Sequence, residues 1–202
     1  MRRILWDVDT QVDFVHAAGK LAVPGAEAVL PSMARLVSAA REAGIAHVAS
    51  ADDHELTDDE ISAEPDYRDT YPPHCLRGTR GAEKVQETEQ ADPVPLGLTA
   101  VPERWFAGRE FLLLKKHFDV FTNPNTDVLL DCLDPEEIVL FGVATDVCDD
   151  AAIRGLVARG RPVTFVEEAS RGLDETRTAS CLASWRTAGV RFASVDEVLA
   201  AL

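Results

Sequence analysis

The sequence predicts an α/β fold of three layers, αβα, around a mostly parallel, doubly wound sheet. Two observations carry this. Short apolar runs alternate with longer segments of helical periodicity, and the strongest runs are apolar at consecutive positions, as strands covered by helices on both faces must be. Ile4–Val8 opens as a strand. Within Glu27–Glu42, Val29, Leu30, Met33, Leu36 and Val37 recur at helical spacing, and Gly44 supplies the stop. Ile45–Ala49 reads as the second strand, Phe111–Leu114 as the third and the almost unbroken Ile138–Val143 as the fourth. A helix over Asp149–Ala158, a strand at Val163–Val166, a helix near Glu175–Ala188 and a strand at Val190–Ala193 continue the alternation. A last helix starts at Val195 with Ser194 as its cap. Asp52–Gly108 breaks the pattern with prolines and charges, although Ala82–Thr88 within it reads as helical. So long an irregular stretch inside a compact domain points to function.

A chain of 202 residues suits one domain, here expected to span 1–202 with a long loop region at about 52–108. Hydrophobic residues at 46% and charged residues at 27% are globular values, which excludes disorder along the whole chain. Twenty basic against 35 acidic residues leave a net charge of −15, a field that repels phosphate backbones and anionic lipid. Nucleic acid and membrane surfaces are therefore excluded as expected partners. No run approaches the ~18–20 apolar residues of a membrane span, and Met1-Arg2-Arg3 leads into no signal-peptide core. Cys75, Cys132, Cys148 and Cys181 form no CxxC pair. The expected location is cytoplasmic.

In open α/β sheets ligands bind beyond the carboxyl ends of the strands, so the residues just after each strand carry the functional information. The first strand runs into Asp7-Val8-Asp9-Thr10-Gln11, the second into Asp52-Asp53-His54, the third into Lys115-Lys116-His117 and the fourth into Ala144-Thr145-Asp146-Val147-Cys148. Cys148 falls in the first turn of a helix, where the dipole and free amides favour a thiolate. A lysine nearby would lower its pKa further, and a carboxylate could take the thiol proton. The other three cysteines read as small core residues. Asp52-x-His54 with the distant His74 offers a carboxylate and two imidazoles to a divalent metal, with Glu60, Glu64 and Asp66 as further oxygen donors between them. Asp9 and Lys115 gain interest only from being placed beside Cys148.

These segments resemble the isochorismatase-like cysteine hydrolases, and the nicotinamidase branch in particular. Asp9-Thr10-Gln11-Val12-Asp13-Phe14 is similar to the family's D-x-Q-x-D-F opening. Lys115 through Phe121 is similar to its K-x-x-x-[SD]-x-F segment, and Gly142 through Cys148 to its G-V-A-T-D-x-C turn. Tyr71-Pro72-Pro73-His74-Cys75, Gly78-Thr79 and Gly81-Ala82-Glu83 resemble the nicotinamidase branch. The motifs occur in the family's order and cover most of the chain.

The resemblance implies amide hydrolysis through a thioester, releasing acid and ammonia. Cys148 would be the nucleophile, Asp9 the proton carrier and Lys115 the group that holds both. It implies a cis peptide between Val143 and Ala144, and an oxyanion hole from the amides of Ala144 and Cys148. Zinc, manganese or iron would sit on Asp52, His54, Glu60 and His74, with a ring nitrogen of the substrate on the metal and Phe14 and Tyr71 flanking the ring. Glu60 stands where some relatives have histidine, and is preferred to Glu64. The Glu60–His74 stretch is longer than in compact relatives, and family analogy suggests a homo-oligomer. An N-carbamoyl amidase or an isochorismatase are alternatives within the family. Asp7-Val8-Asp9-Thr10 also fits the D-x-D-x-T opening of haloacid-dehalogenase-type phosphatases, with Asp7 as nucleophile and Asp9 as acid/base. The later acidic motif of that class is missing, because Val143 and Ala144 follow Gly142.

Overall fold

The computed structural model describes residues 1–202. Its elements, in chain order, are β1 (Arg3–Val8), the single turn α1 (Val12–Val15), α2 (Leu30–Glu42), β2 (Ala46–Asp52), β3 (Val94–Leu96), β4 (Glu110–Lys115), α3 (Thr126–Leu133), β5 (Glu137–Gly142), α4 (Cys148–Ala158), β6 (Val163–Phe165), α5 (Glu175–Thr187), β7 (Arg191–Phe192) and α6 (Val195–Ala201). The seven strands form one sheet in the order β3-β4-β2-β1-β5-β6-β7, and every neighbouring pair is parallel. The predicted fold class is met.

Both faces of the sheet are buried. Trp6, Val48, Phe111, Leu113 and Leu140 pack with Leu129 and Leu130 of α3, Ile153 and Leu156 of α4, and Trp185 of α5. On the other face Leu5, Val139 and Phe141 meet Met33, Leu36 and Val37 of α2 and Val198 of α6. Each such side chain contributes about 1.5–3 kcal/mol on burial. Alternation along each strand divides its residues between the two layers, which is why the strand sequences read as continuous apolar runs. No helix is long and apolar enough to cross a membrane.

Register brings the functional ends level. Val8 pairs with Ser50 of β2 and with Gly142 of β5, and Asp52 pairs with Lys115. Gly142 has φ of +151°, and a Cβ there would overlap the Val8 carbonyl, so only glycine lets β1 and β5 approach at this rim. Ser194 caps α6 as predicted, in a reciprocal pair with Glu197.

Three predicted features differ. Ala82–Thr88 is not a helix, because residues 83 and 85 bond the backbone of Val12 and Thr10 around a Gln11–Lys84 bridge, leaving only short 3-10 turns at Arg80–Ala82 and Gln86–Thr88. The Asp52–Gly108 stretch contains an edge strand, β3, whose Pro95 hid it. The eight-residue α3 was not predicted, being two turns long with little periodicity to read. Boundaries shift elsewhere: α2 begins at Leu30 after a 3-10 turn, β2 runs on to Asp52, and β7 keeps only Arg191 and Phe192.

Candidate active site

Asp9 follows β1 in the left-handed region at φ +50°, a conformation aspartate tolerates better than most residues. The turn buries its carboxylate completely. Oδ1 accepts a hydrogen bond from the Ser50 hydroxyl at 2.7 Å. Oδ2 forms an ion pair with Nζ of Lys115 at 2.8 Å. Lys115, at the end of β4, is equally buried; Nζ also donates to Oδ1 of Asp52 and lies 3.8 Å from Sγ of Cys148. Cys148 opens α4. Strand ends from β1, β2 and β4 and one helix start thus bring Asp9, Asp52, Lys115 and Cys148 together.

Their ionisation follows from burial and neighbours. Burial works against the Lys115 ammonium, but Asp52 and Asp9 outweigh it and hold Lys115 well above the usual lysine range. Asp52 is held well below the carboxylate range: burial opposes this, and Lys115, His54 and His74 prevail. Asp9 goes the other way, raised by burial and by the charge of Asp52 against the pull of Lys115. The Cys148 thiol is pushed well above its ordinary value by burial, which together with Asp9 and Asp52 outweighs Lys115. Burial and the two carboxylates thus work against the helix dipole and the lysine at this thiol, and Asp9 stands where it can receive the thiol proton.

The amides of Ala144, Asp146 and Cys148 donate no hydrogen bond within the protein, while those of Val143, Thr145, Val147 and Asp149 all do. Free donors, those of Ala144 and Cys148 among them, therefore sit at the turn that carries Sγ. The Val143–Ala144 peptide is cis.

Beside the thiol stand Asp52, His54 and His74, all buried, offering one ligand atom each within 4.8 Å of one another. Oδ2 of Asp52 is 3.6 Å from Nε2 of His54 and 3.5 Å from Nε2 of His74. Glu60 borders the trio, with Oε2 3.6 Å from Nε2 of His54, and is itself buried, whereas Glu64 and Asp66 are exposed on the loop. Nε2 of His54 is buried without a hydrogen-bond partner. An orphaned imidazole nitrogen facing two carboxylates and a second imidazole is a donor set that fits a divalent cation.

Phe14, Tyr71, Phe118, Val147 and Leu173 wall a narrow cavity of about 20 Å³ that has Cys148 and Ala144 on one side and Asp52, Glu60 and His74 on another. Phe14 and Tyr71 lie 5.2 and 6.3 Å from the His74 ring. Tyr71, Phe118 and Val147 are shared with an outer cleft of about 560 Å³. The largest cleft, about 770 Å³, touches Asp52 but not Cys148, and the chemistry lies in the smaller cavity.

Four residues have supporting roles that the sequence reading did not assign. Gln11 clamps the backbone of Asp52, accepting from its N–H at 2.7 Å and donating to its carbonyl at 2.8 Å. Asp13 accepts from the amide of Cys75 at 2.8 Å and so tethers the His74 loop. Ser50 and Asp146 act similarly on Asp9 and on the Leu173 turn. Gln11, Asp13 and Asp146 stand at polar positions of the motifs quoted above and Ser50 is a buried polar residue of β2, and a polar side chain inside an apolar framework is the signal that could have assigned them. Asp7 is not positioned as a nucleophile: fully buried, it is locked by His47 at 2.5 Å, by Lys84 and by the Thr10 hydroxyl at 2.8 Å.

A thiol, a carboxylate and an ammonium thus meet at the carboxyl rim of a parallel αβα sheet. The isochorismatase domain family matches residues 4–96 and 97–197. The nicotinamidase/pyrazinamidase of Mycobacterium tuberculosis is 30% identical over 193 residues, covering 93% of this chain and 96% of that protein. A probable inactive nicotinamidase of Arabidopsis thaliana is 25% identical over 94% of this chain and 91% of its own length. Among solved structures, the pyrazinamidase of Pyrococcus horikoshii in complex with zinc superposes with a TM-score of 0.76 at 21% identity, covering 96% of this chain and 99% of that one. The chain belongs to the isochorismatase family and is a nicotinamidase-like hydrolase of non-peptide C–N bonds.

Proposed function

We propose that this chain hydrolyses a small ring amide of the nicotinamide or pyrazinamide type to the acid and ammonia through a thioester on Cys148. The observation that carries the reading is that Cys148, which meets Asp9 and Lys115 behind it, lines an aromatic-walled cavity whose other side carries Asp52 and His74 of the Asp52/His54/His74 trio. The relatives' names support the same substrate class.

Sγ of Cys148 attacks the amide carbon as its proton passes to Asp9, and the oxyanion is held by the amides of Ala144 and Cys148. Collapse breaks the C–N bond, and the proton on Asp9 leaves with the amine as ammonia. Asp9 then takes a proton from water, whose oxygen attacks the thioester. The acid is released, and the proton returns to the thiol. Throughout, Lys115 neutralises Asp9 and Asp52 and fixes the thiol between them. A divalent cation held by Asp52, His54, His74 and Glu60 would supply a Lewis-acid seat for a ring nitrogen. Phe14 and Tyr71 orient the ring, and the mouth at Tyr71 and Phe118 must open to admit it. The cytoplasm and a homo-oligomer are the setting this reading assumes.

The test is ammonia release from nicotinamide and pyrazinamide by wild type and Cys148→Ala, each loaded with zinc, manganese or iron. Turnover by wild type alone is expected. Equal turnover by the variant would overturn the thiol mechanism; release only from carbamoyl compounds would replace the ring-amide substrate.

A further inference from the structure

Strand β4 ends at Lys115, and a second lysine, Lys116, follows it directly. Lys115 enters the reaction centre. Lys116 reaches the outer side of the metal-type cluster, where Nζ lies 2.8 Å from Oδ2 of Asp58. That same oxygen accepts the amide of Glu55 at 2.8 Å and stands 3.3 Å from Nδ1 of His54. The His54 ring is fully buried, with Asp58 against Nδ1 and the two carboxylates, Asp52 and Glu60, against Nε2. His74 is set in a comparable way, its Nδ1 donating to the Pro72 carbonyl at 2.7 Å while Nε2 faces Asp52. An imidazole whose one nitrogen donates to a fixed acceptor has its tautomer and ring angle decided, and its other nitrogen is left as the ligand atom.

We propose that Asp58, pinned by Lys116 and the Glu55 amide, is a positioning residue for the cation site, holding Nδ1–H of His54 so that Nε2 is the donor. The inference rests on reading Asp52, His54 and His74 as metal ligands. Asp58 itself touches neither substrate nor cation. Its Oδ2, held by both the Lys116 ammonium and the Glu55 amide, is the hydrogen-bond partner of Nδ1, so removing it leaves the ring angle and tautomer of His54 without that hold. Lys116 acts one step further out, by keeping the Asp58 carboxylate from swinging towards solvent.

The experiment measures Co²⁺ and Zn²⁺ dissociation constants by competition with a chromophoric chelator, together with the visible spectrum of the Co²⁺ form. The proteins are wild type, Asp58→Ala, Asp58→Asn, Lys116→Ala, Lys116→Arg and His54→Ala. Asp58→Ala is expected to bind about 10–100-fold more weakly with an altered Co²⁺ spectrum, as loss of an orienting carboxylate does. Asp58→Asn, which keeps an acceptor, and Lys116→Ala should lose less, and Lys116→Arg should restore wild-type behaviour. Raising the metal concentration should recover kcat in Asp58→Ala, separating a positioning role from a chemical one. Wild-type affinity and spectrum in Asp58→Ala, with binding lost in His54→Ala, would overturn the positioning role and leave the ligand assignment standing. No binding by wild type would overturn both. Should Asp58→Ala fail to fold, unchanged constants and spectra in Asp58→Asn and Lys116→Ala overturn the proposal instead.

Discussion

At the scale of single residues, the reaction centre is organised by unequal ionisation. Asp9 accepts a proton only when ionised, and its pKa is raised by burial and by the Asp52 charge. The kcat/KM profile should therefore fall on acidification through a pKa above the ordinary aspartate value of about 3.9. Asp9→Asn should lose about 10²–10⁴-fold in kcat without losing the fold, checked by steady-state kinetics alongside circular dichroism. A second buried carboxyl lies beside this centre. Asp149, one residue after the nucleophile, is fully buried with neither oxygen hydrogen-bonded, and burial and the Asp9 charge raise its pKa well above the usual range. A raised folded-state pKa means that the native state holds a proton the unfolded chain releases once the pH exceeds the unfolded value. Stability is therefore full below that value and declines as the pH rises. Asp149→Asn should stabilise the protein by about 1–3 kcal/mol at neutral pH and by less near pH 4, read from urea midpoints at both.

At the scale of elements, much was legible because strands buried on both faces write themselves as apolar runs. Ile4–Val8 and Ile138–Val143 could be found that way, and the chemistry-bearing positions follow from where those runs stop. What was illegible is what tertiary contact decides. Residues 83–85 are extended because Gln11 and Lys84 bridge across the chain, and no local preference announces that. Asp58 and Lys116 matter to His54 only through a turn and a strand that meet in space. The opposing pulls on Cys148 were half visible for the same reason, since its helix start shows in the sequence and its burial between two acids does not. The Gly142 approach gives a direct check at this scale. Gly142→Ala should drive β1 and β5 apart and cost about 1–3 kcal/mol, with activity lost beyond the loss of stability because both Asp9 and the Ala144 turn hang from that rim. Thermal unfolding and kcat on the same preparation separate the two effects.

At the scale of the whole molecule, the cation-type cluster links the long loop to the sheet. Asp52 belongs to β2, His54 to the turn after it, and Glu60 and His74 to either end of the excursion. A ligand that binds only the folded state stabilises it by mass action, about 2.7 kcal/mol at a hundred times Kd. Stripping the protein with a chelator should lower Tm, re-addition of Zn²⁺ or Mn²⁺ should restore it, and His74→Ala should show neither change. The backbone bridge between Ile61 and Tyr71 has its own consequence. Tyr71 donates its amide to the Glu60 carbonyl at 2.8 Å, and Ser62 donates back to the Tyr71 carbonyl at 2.9 Å, so the chain is stapled shut at the base of residues 62–70. The base of the excursion is fixed there, while its far residues still reach the mouth: the Tyr67 ring stands edge-on to Tyr71 and Arg68 lines the outer cleft. Evolution is thus free to lengthen, shorten or decorate that excursion, and so to alter what meets the mouth, without re-inventing the chemistry beneath it.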